Sequence, residues 1–266
     1  MSDLPSLLSP YILQTPWFSL HWYGFMYVVS YIVIYALARY RIKTEGFPLT
    51  KEQLLDILVW SIVGLVIGAR LFYVIFYDAS YYLSHPFEII LPIKNGTLAG
   101  IAGFSFHGGL IGVATSLYLY AKKRHINPWM IADLFFPIAP IGSFFGRIGN
   151  FINGELYGRP SDLPWAMRFP TDPDLLLRHP SQLYQALIEG LLLFVILWIF
   201  RKRIKGPKMV GLYLIGYGLA RIFIECFRQP DPQIGYLFGW LTMGQLLSAG
   251  MILLGIGFFI RNAKQN

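Results

Sequence analysis

Two runs place ionisable and amide side chains inside otherwise apolar sequence: Gly146-Arg147-Ile148-Gly149-Asn150-Phe151-Ile152-Asn153-Gly154-Glu155 and Tyr217-Gly218-Leu219-Ala220-Arg221-Ile222-Phe223-Ile224-Glu225. A charge at the centre of a bilayer span costs about 2.5–3.5 kcal/mol even on lenient insertion scales, so residues that carry one normally face a cavity or a partner. Tyr217, Arg221, Glu225 and Arg228 recur at 4-4-3 spacing, which puts all four on one helical face. Arg221 and Glu225 alone would neutralise each other as an i,i+4 pair. Arg228 on the same stripe leaves one carboxylate facing two guanidiniums, and the surplus charge calls for an anion. A guanidinium fork matches phosphate oxygens. In the first run, glycines thin the backbone around Arg147 while Asn150 and Asn153 supply donors and acceptors. The alternative is a tightly packed helix end with Arg147 snorkelling outward.

Single residues are weaker signals. His107 stands between Ser105-Phe106 and Gly108-Gly109; an imidazole there is either hydrogen-bonded structure or a base for neutral-pH chemistry. No second histidine has metal-ligand spacing to it, and neither HExxH nor CxxC occurs, so a metal site is not expected. Tyr23 either lines the site or belongs to an interfacial aromatic belt. Cys226 reads as a packing residue, and as the single cysteine it excludes an intrachain disulfide. Asp133, Glu189 and Arg70 are charges without an assignable partner.

The elements that must position these groups are spans. Apolar residues make up 55% of the 266 and charged residues 14%, against roughly 25% charged in an ordinary soluble chain. Apolar runs near 18–38, 54–77, 98–121, 129–149, 183–200, 209–227 and 238–260 are each long enough to cross a bilayer as a helix. The run at 129–149, broken by Pro137 and Pro140, is the least regular. Fourteen of the 22 Lys and Arg residues fall after spans one (Arg39, Arg41, Lys43, Lys51), three (Lys122, Lys123, Arg124), five (Arg201, Lys202, Arg203, Lys205, Lys208) and in the tail (Arg261, Lys264). Lys94, Arg159, Arg168, Arg178 and Arg228 make five on the other side. The positive-inside rule makes the richer side cytoplasmic. The expected fold is therefore an all-α integral membrane protein, one polytopic domain over 1–266. It has seven transmembrane helices, the N-terminus outside and the C-terminus cytoplasmic. Segment 151–182, with five prolines, is expected to form a small extracytoplasmic cap of loops, and 78–97 a smaller piece on the same face. Gly64/Gly68, Gly108/Gly112 and Gly142/Gly146 have the GxxxG spacing of close helix packing. The net charge of +8 sits in clusters beside spans without aromatic interleaving, which argues against nucleic acid. On residues alone this is a seven-span protein with an arginine-rich, phosphate-compatible site near the outer leaflet. The anion is a phospholipid or a transported organic anion.

The same runs resemble the bacterial prolipoprotein diacylglyceryl transferases. His21-Trp22-Tyr23-Gly24, Phe106-His107-Gly108-Gly109-Leu110-Ile111-Gly112, the Arg147 run, Arg178-His179-Pro180-Ser181-Gln182-Leu183-Tyr184 and Tyr217 through Phe227-Arg228-Gln229-Pro230-Asp231 carry the likeness from about residue 20 to 250. The resemblance implies transfer of the diacylglyceryl group from phosphatidylglycerol to the lipobox cysteine thiol of preprolipoproteins. A thioether forms and glycerol phosphate leaves, without cofactor or metal. It implies a multi-pass protein of the bacterial plasma membrane, the inner membrane where the host is Gram-negative. By the same resemblance Arg147 and Arg221 hold the headgroup and stabilise the leaving phosphate, His107 is the candidate base, and Tyr23, Asn150, Glu155, Gly158, Tyr217 and Glu225 line or orient the site. Gln185 departs from the pattern, standing where an acid is expected after His-Pro-Ser-Gln-Leu-Tyr. The runner-up, a transporter or channel for an anionic metabolite or lipid, predicts inverted repeats that the sequence does not show.

Overall fold

Long apolar stretches without interior proline become helices here because lipid cannot satisfy a bare backbone. The computed structural model describes residues 3–15, 19–90, 93–94, 97–98, 103–230, 236–237 and 239–263. Asp231 and Lys264 lie outside the described residues. Helices run in the order α1 (Leu4–Leu7), α2 (Trp22–Glu45), α3 (Lys51–Tyr77), α4 (Ala79–Ser84), α5 (Phe106–Lys123), α6 (Pro128–Phe135), α7 (Pro140–Ile152), α8 (Ser181–Gln185), α9 (Leu193–Phe200), α10 (Pro207–Glu225) and α11 (Met243–Ala263). A wider π-helical stretch, Ala186–Leu192, joins α8 to α9 into one continuous rod, Ser181–Phe200. Three short antiparallel hairpins complete the described fold: Tyr11–Gln14 with Ser19–His21, Ile93–Lys94 with Thr97–Leu98, and Tyr236–Leu237 with Leu241–Thr242.

Five of these helices are long and apolar enough to cross a membrane, or six if α6 and α7, bent by 50° at their break, count as one span. Val28, Ile32, Val59, Ile75, Leu219 and Leu253 are among many large apolar side chains left exposed. Such faces are tolerated when lipid covers them. The protein is a helical, multi-pass membrane protein. Several expected boundaries shift. The first helix reaches Glu45, so Arg39, Arg41 and Lys43 belong to its last turns and not to a loop. The helix expected from residue 98 starts at Phe106, N-capped by Ser105, and the last starts at Met243.

The chain divides into two compact units, Met1–Phe47 with Ala132–Asn266, and Pro48–Ile131. In the second unit α3 and α5 pack through their glycines. A Cβ on Gly112 would collide with the Gly64 carbonyl and lie 2.8 Å from Gly68 Cα, so this GxxxG pair is a true close approach. The Gly142/Gly146 pair is not: Gly142 meets only side chains at 3.6 Å or more, and Gly146 has nothing within 4 Å. Arg70, buried on α3, donates to the carbonyls of Ile89, Glu88 and Gly103 and stands over Tyr82, which supplies the partners the sequence withheld.

In the first unit the α6–α7 break has a chemical cause. Pro137 has no N–H for the carbonyl of Asp133, four residues earlier. Arg41 replaces it, donating from Nη1 to Asp133 O at 2.6 Å and Leu134 O at 2.7 Å. Its other nitrogens bind Glu45, which also pairs with Arg201 at 2.8 Å. Asp133 Oδ1 accepts from the backbone N–H of Gly206. Segment 151–182 is irregular as its prolines require. It is built on Phe151, Met167 and Phe169, with Arg178 buried against Asp172 in two hydrogen bonds of 2.5 and 2.8 Å.

Candidate active site

α7 ends at Ile152 because Gly154 takes φ +70, a left-handed conformation that costs a residue with a Cβ. Gly154 N–H returns to Phe151 O at 3.0 Å and Glu155 N–H to Asn150 O at 3.1 Å, the paired bonds of a Schellman ending. That ending folds Glu155 back over the last turn. Asn150 Nδ2 then donates to Glu155 Oε1 at 2.8 Å, with Asn153 Nδ2 at 3.3 Å, and Arg147 Nη1 donates to Asn150 Oδ1 at 3.1 Å. Arg147 therefore reaches a carboxylate only through a neutral amide. Among the described residues it forms no ion pair, and it is half-buried. Its guanidinium also faces the Tyr217 hydroxyl on α10. Tyr23, on the first turn of α2, lies near enough to Glu155 and Arg147 for electrostatic coupling. Gly149 makes room for it: a Cβ there would lie 2.9 Å from Tyr23 Cδ2.

On α10, Arg221 Nη2 pairs with Glu225 Oε1 at 2.7 Å, and Arg228 Nη1 reaches the same oxygen at 3.5 Å. Glu225 is fixed from the other side. Thr242 Oγ1 donates to its Oε2 at 2.7 Å, and Gly244 must lack a Cβ because one would lie 2.6 Å from Glu225 Cδ. Thr242 is held by a reciprocal capping box with Gln245 at the start of α11. On this stripe one carboxylate does face two guanidiniums, as expected, but the surplus charge also meets an acid from another element. Glu189, fully buried on the π-helical stretch, brings a second carboxylate to 3.5 Å from Arg221 Nη1. Among the described residues of the two runs, the arginine without an ion pair is Arg147.

Residues 158–185 supply the other contacts. Arg159 donates to Arg228 O at 3.0 Å and Glu225 O at 3.1 Å, covering carbonyls at the C-terminal end of α10. Gly158 lies against main chain: a Cβ there would meet Phe227 O at 2.5 Å and His179 Cβ at 2.7 Å. Gly158 is thus a spacing residue. His179 Nδ1 pairs with the Tyr184 hydroxyl at 3.2 Å, and burial pushes its imidazole below its ordinary value, favouring the neutral ring. Gln182 Nε2 donates to Glu155 O at 2.6 Å. Gln185, the departure from the expected acid, is fully buried, and neither side-chain polar atom has a hydrogen bond among the described residues.

Tyr23, Arg147, Asn150, Glu155, Gly158, Tyr217, Arg221 and Glu225 thus all belong to the first unit and are linked by hydrogen bonds, packing or charge. His107 belongs to the second, exposed on the first turn of α5. Cys226, expected to pack, is exposed, with Sγ 3.8 Å from Ile222 O. Sequence reasoning missed Thr242 and Gly244. The Thr-x-x-Gln spacing of the capping box was the available signal for the first. It flagged Glu189 without a partner, because an acid on one span and an arginine on another share no local spacing.

A family profile described as prolipoprotein diacylglyceryl transferase matches residues 10–261. A Chlorobaculum tepidum protein named phosphatidylglycerol–prolipoprotein diacylglyceryl transferase is 47% identical over 97% of this chain and 91% of its own length. Proteins of the same name from Bordetella avium and Methylococcus capsulatus are 46% and 49% identical, covering 93% and 89% of this chain and 92% and 88% of their own lengths. With its Arg147 and Arg221 framework and these relatives along nearly its whole length, the chain belongs to the prolipoprotein diacylglyceryl transferase family.

Proposed function

We propose that this chain transfers the diacylglyceryl group of phosphatidylglycerol to the lipobox cysteine thiol of preprolipoproteins, the first step of lipoprotein maturation. The observation that carries the reading is Arg147: half-buried, bonded among the described residues only to neutral groups, and beside the Arg221 network. The reaction is a substitution at carbon. The thiol sulfur forms a bond to the glyceryl carbon as that carbon's bond to the phosphate oxygen breaks, and the electron pair leaves on glycerol phosphate. Two demands follow. The thiol, with an ordinary pKa of about 8.5, must lose its proton, and the leaving phosphate needs its charge stabilised by preorganised donors. Arg147 and Arg221 answer the second. His107, exposed at the head of α5, is the candidate base for the first. Tyr23, Asn150, Glu155, Tyr217 and Glu225 orient the arginines and the headgroup, and Gly158 sets the spacing of the cap against α10.

The topology that serves this reading is seven crossings in a single polytopic domain of the bacterial plasma membrane. α5, at 18 residues, reaches roughly 27 Å at about 1.5 Å per residue, close to the thickness of a hydrocarbon core of about 30 Å. With α6–α7 as one bent span, it brings the count to seven, leaving the N-terminus outside and the C-terminus cytoplasmic. Segment 151–182 is then an extracytoplasmic cap. Each of its three arginines has a partner: Arg178 has Asp172, Arg168 has Asp3, and Arg159 has the main-chain carbonyls of Glu225 and Arg228.

The test is a mass spectrum of a lipobox-cysteine peptide incubated with the purified protein and phosphatidylglycerol in detergent. A diacylglyceryl mass gain on the cysteine, lost in Arg147→Ala, is the expected result. No gain with folded wild-type protein, across several acyl-chain lengths, overturns the reading.

A further inference from the structure

Glu189 is the one site carboxylate that the reaction does not use, and its placement is costly. The chain widens into π-helical turns over Ala186–Leu192, a form that is rare and concentrated at functional positions. Gly190 lets this stretch press on α7: a Cβ there would lie 2.7 to 2.9 Å from Phe144 Cβ, Cα and N. The result places the Glu189 carboxylate where Arg221, Arg147 and Arg228 all act on it electrostatically. Neither of its oxygens has a hydrogen bond among the described residues, and Arg221 Nη1, at 3.5 Å, has none either. A buried charge pair repays its desolvation only when hydrogen bonds complete it. Glu225 is the contrast, clamped by Arg221 and Thr242 at 2.7 Å each. One carboxylate on Arg221 is fixed at 2.7 Å, and the other stands at 3.5 Å from Nη1, too long and poorly aligned for a full hydrogen bond.

We propose that Glu189 is a resident counter-anion, a positioning residue that holds Arg221 near Arg147 until the phosphate of the lipid headgroup takes over that nitrogen. The inference rests on the proposed function of the same site. Glu189 offsets the repulsion between like guanidiniums before substrate binds, and it competes with every phosphate that enters. Competition weakens substrate and product alike, so it sacrifices affinity and speeds departure of glycerol phosphate. Removing the charge reverses both effects.

The experiment titrates sn-glycerol 1-phosphate into detergent-solubilised wild type and Glu189→Gln by calorimetry, with steady-state transfer measured alongside. Glu189→Gln is expected to bind glycerol phosphate at least about tenfold more tightly, with a lower KM for phosphatidylglycerol and a lower kcat set by product release. A purely structural role moves affinity the other way or leaves it unchanged, and either result overturns the inference. Should Glu189→Gln fail to fold, Glu189→Asp reads the same quantity. It keeps the charge but retracts it by one methylene, and tighter glycerol phosphate binding is again expected; equal or weaker binding overturns the inference. Wild type that neither binds glycerol phosphate nor transfers the lipid group overturns the proposed function itself, and the inference with it.

Discussion

The two ends of α2 each meet buried arginine chemistry, and the two treat it in opposite ways. Tyr23 and Arg41 are 18 residues apart on this helix, roughly 27 Å at about 1.5 Å per residue. Arg41 is saturated. Its side chain is 1% exposed, its Nε and Nη2 bind Glu45, its Nη1 caps two carbonyls at the α6–α7 break, and its guanidinium stands over Phe47. Near Tyr23, Arg147 binds a neutral amide and faces a tyrosine hydroxyl, and Arg221 keeps one nitrogen without a hydrogen bond. Burial of a guanidinium therefore does not mark function. What marks it is donor capacity that the protein itself leaves unused, because a donor already satisfied by carbonyls has nothing to offer a phosphate.

Exchanging one methionine between the two ends breaks that comparison most sharply. Arg147→Met is expected to melt within a degree or two of wild type and to lose transfer by at least about 10²-fold, the scale for removing one preorganised donor of a developing anion. Arg41→Met is expected to lose about 2–5 kcal/mol, since it leaves two interior carbonyls unsatisfied and Glu45 with Arg201 as its remaining partner. Transfer per folded molecule should fall far less. Thermal denaturation in detergent and the lipid-transfer assay, run on both variants, read the two effects separately. A destabilised Arg147→Met with proportionate activity would make both ends structural.

A smaller effect tests how the backbone aims the site. Gly154→Ala forces an alanine into the left-handed region, at roughly 1–2 kcal/mol, and sets its Cβ 3.1 Å from Pro170 Cδ. The Schellman ending loosens, and Glu155 loses its register over Asn150. The expected outcome is a fall of about tenfold in kcat/KM with a melting loss of only a few degrees. Unchanged kcat/KM would show that Glu155 does not position Arg147 through Asn150.

Some of this was legible in sequence, and the limit has a physical form. The Arg147 run and the Arg221 stripe could be read because their spacing within one helix places them on one face. Gly154 at a helix end and the prolines of 151–182 predict a turn and a loop region from backbone chemistry alone. Partners on other elements could not be read. Pro137 announces that the Asp133 carbonyl loses its donor, but that the replacement is Arg41, 92 residues earlier, is a fact of packing. The Arg221–Glu189 pair likewise depends on a π-helical widening that no hydrophobic period signals. The Gly142/Gly146 spacing misled for the converse reason. GxxxG permits close approach, and at these positions no backbone takes it up.

Segment 151–182 extends the comparison, because Arg178, like Arg41, is buried against a carboxylate of its own chain. Asp172 is buried, which pushes its carboxyl up. The hydrogen bonds from Arg178 and from the backbone N–H groups of Asp174 and Leu176 more than offset this, and hold it below the usual carboxylate range. Its folded value lies below the unfolded one, about 3.9, so protons favour the unfolded chain. The stabilisation is fully present above that pH and is lost as the pH falls through the folded value. Asp172→Asn should accordingly melt below wild type at pH 7. The gap should hold down to about pH 4 and close below it, as wild type loses the pair that the variant never had. A gap that stays constant to pH 3 would mean that the charge of Asp172 contributes nothing and that the loss reflects altered packing around Tyr157 and Phe169. The segment would then be held by its aromatic core, and Arg178 would no longer stand beside Arg41 as a guanidinium whose carboxylate pairing stabilises the fold.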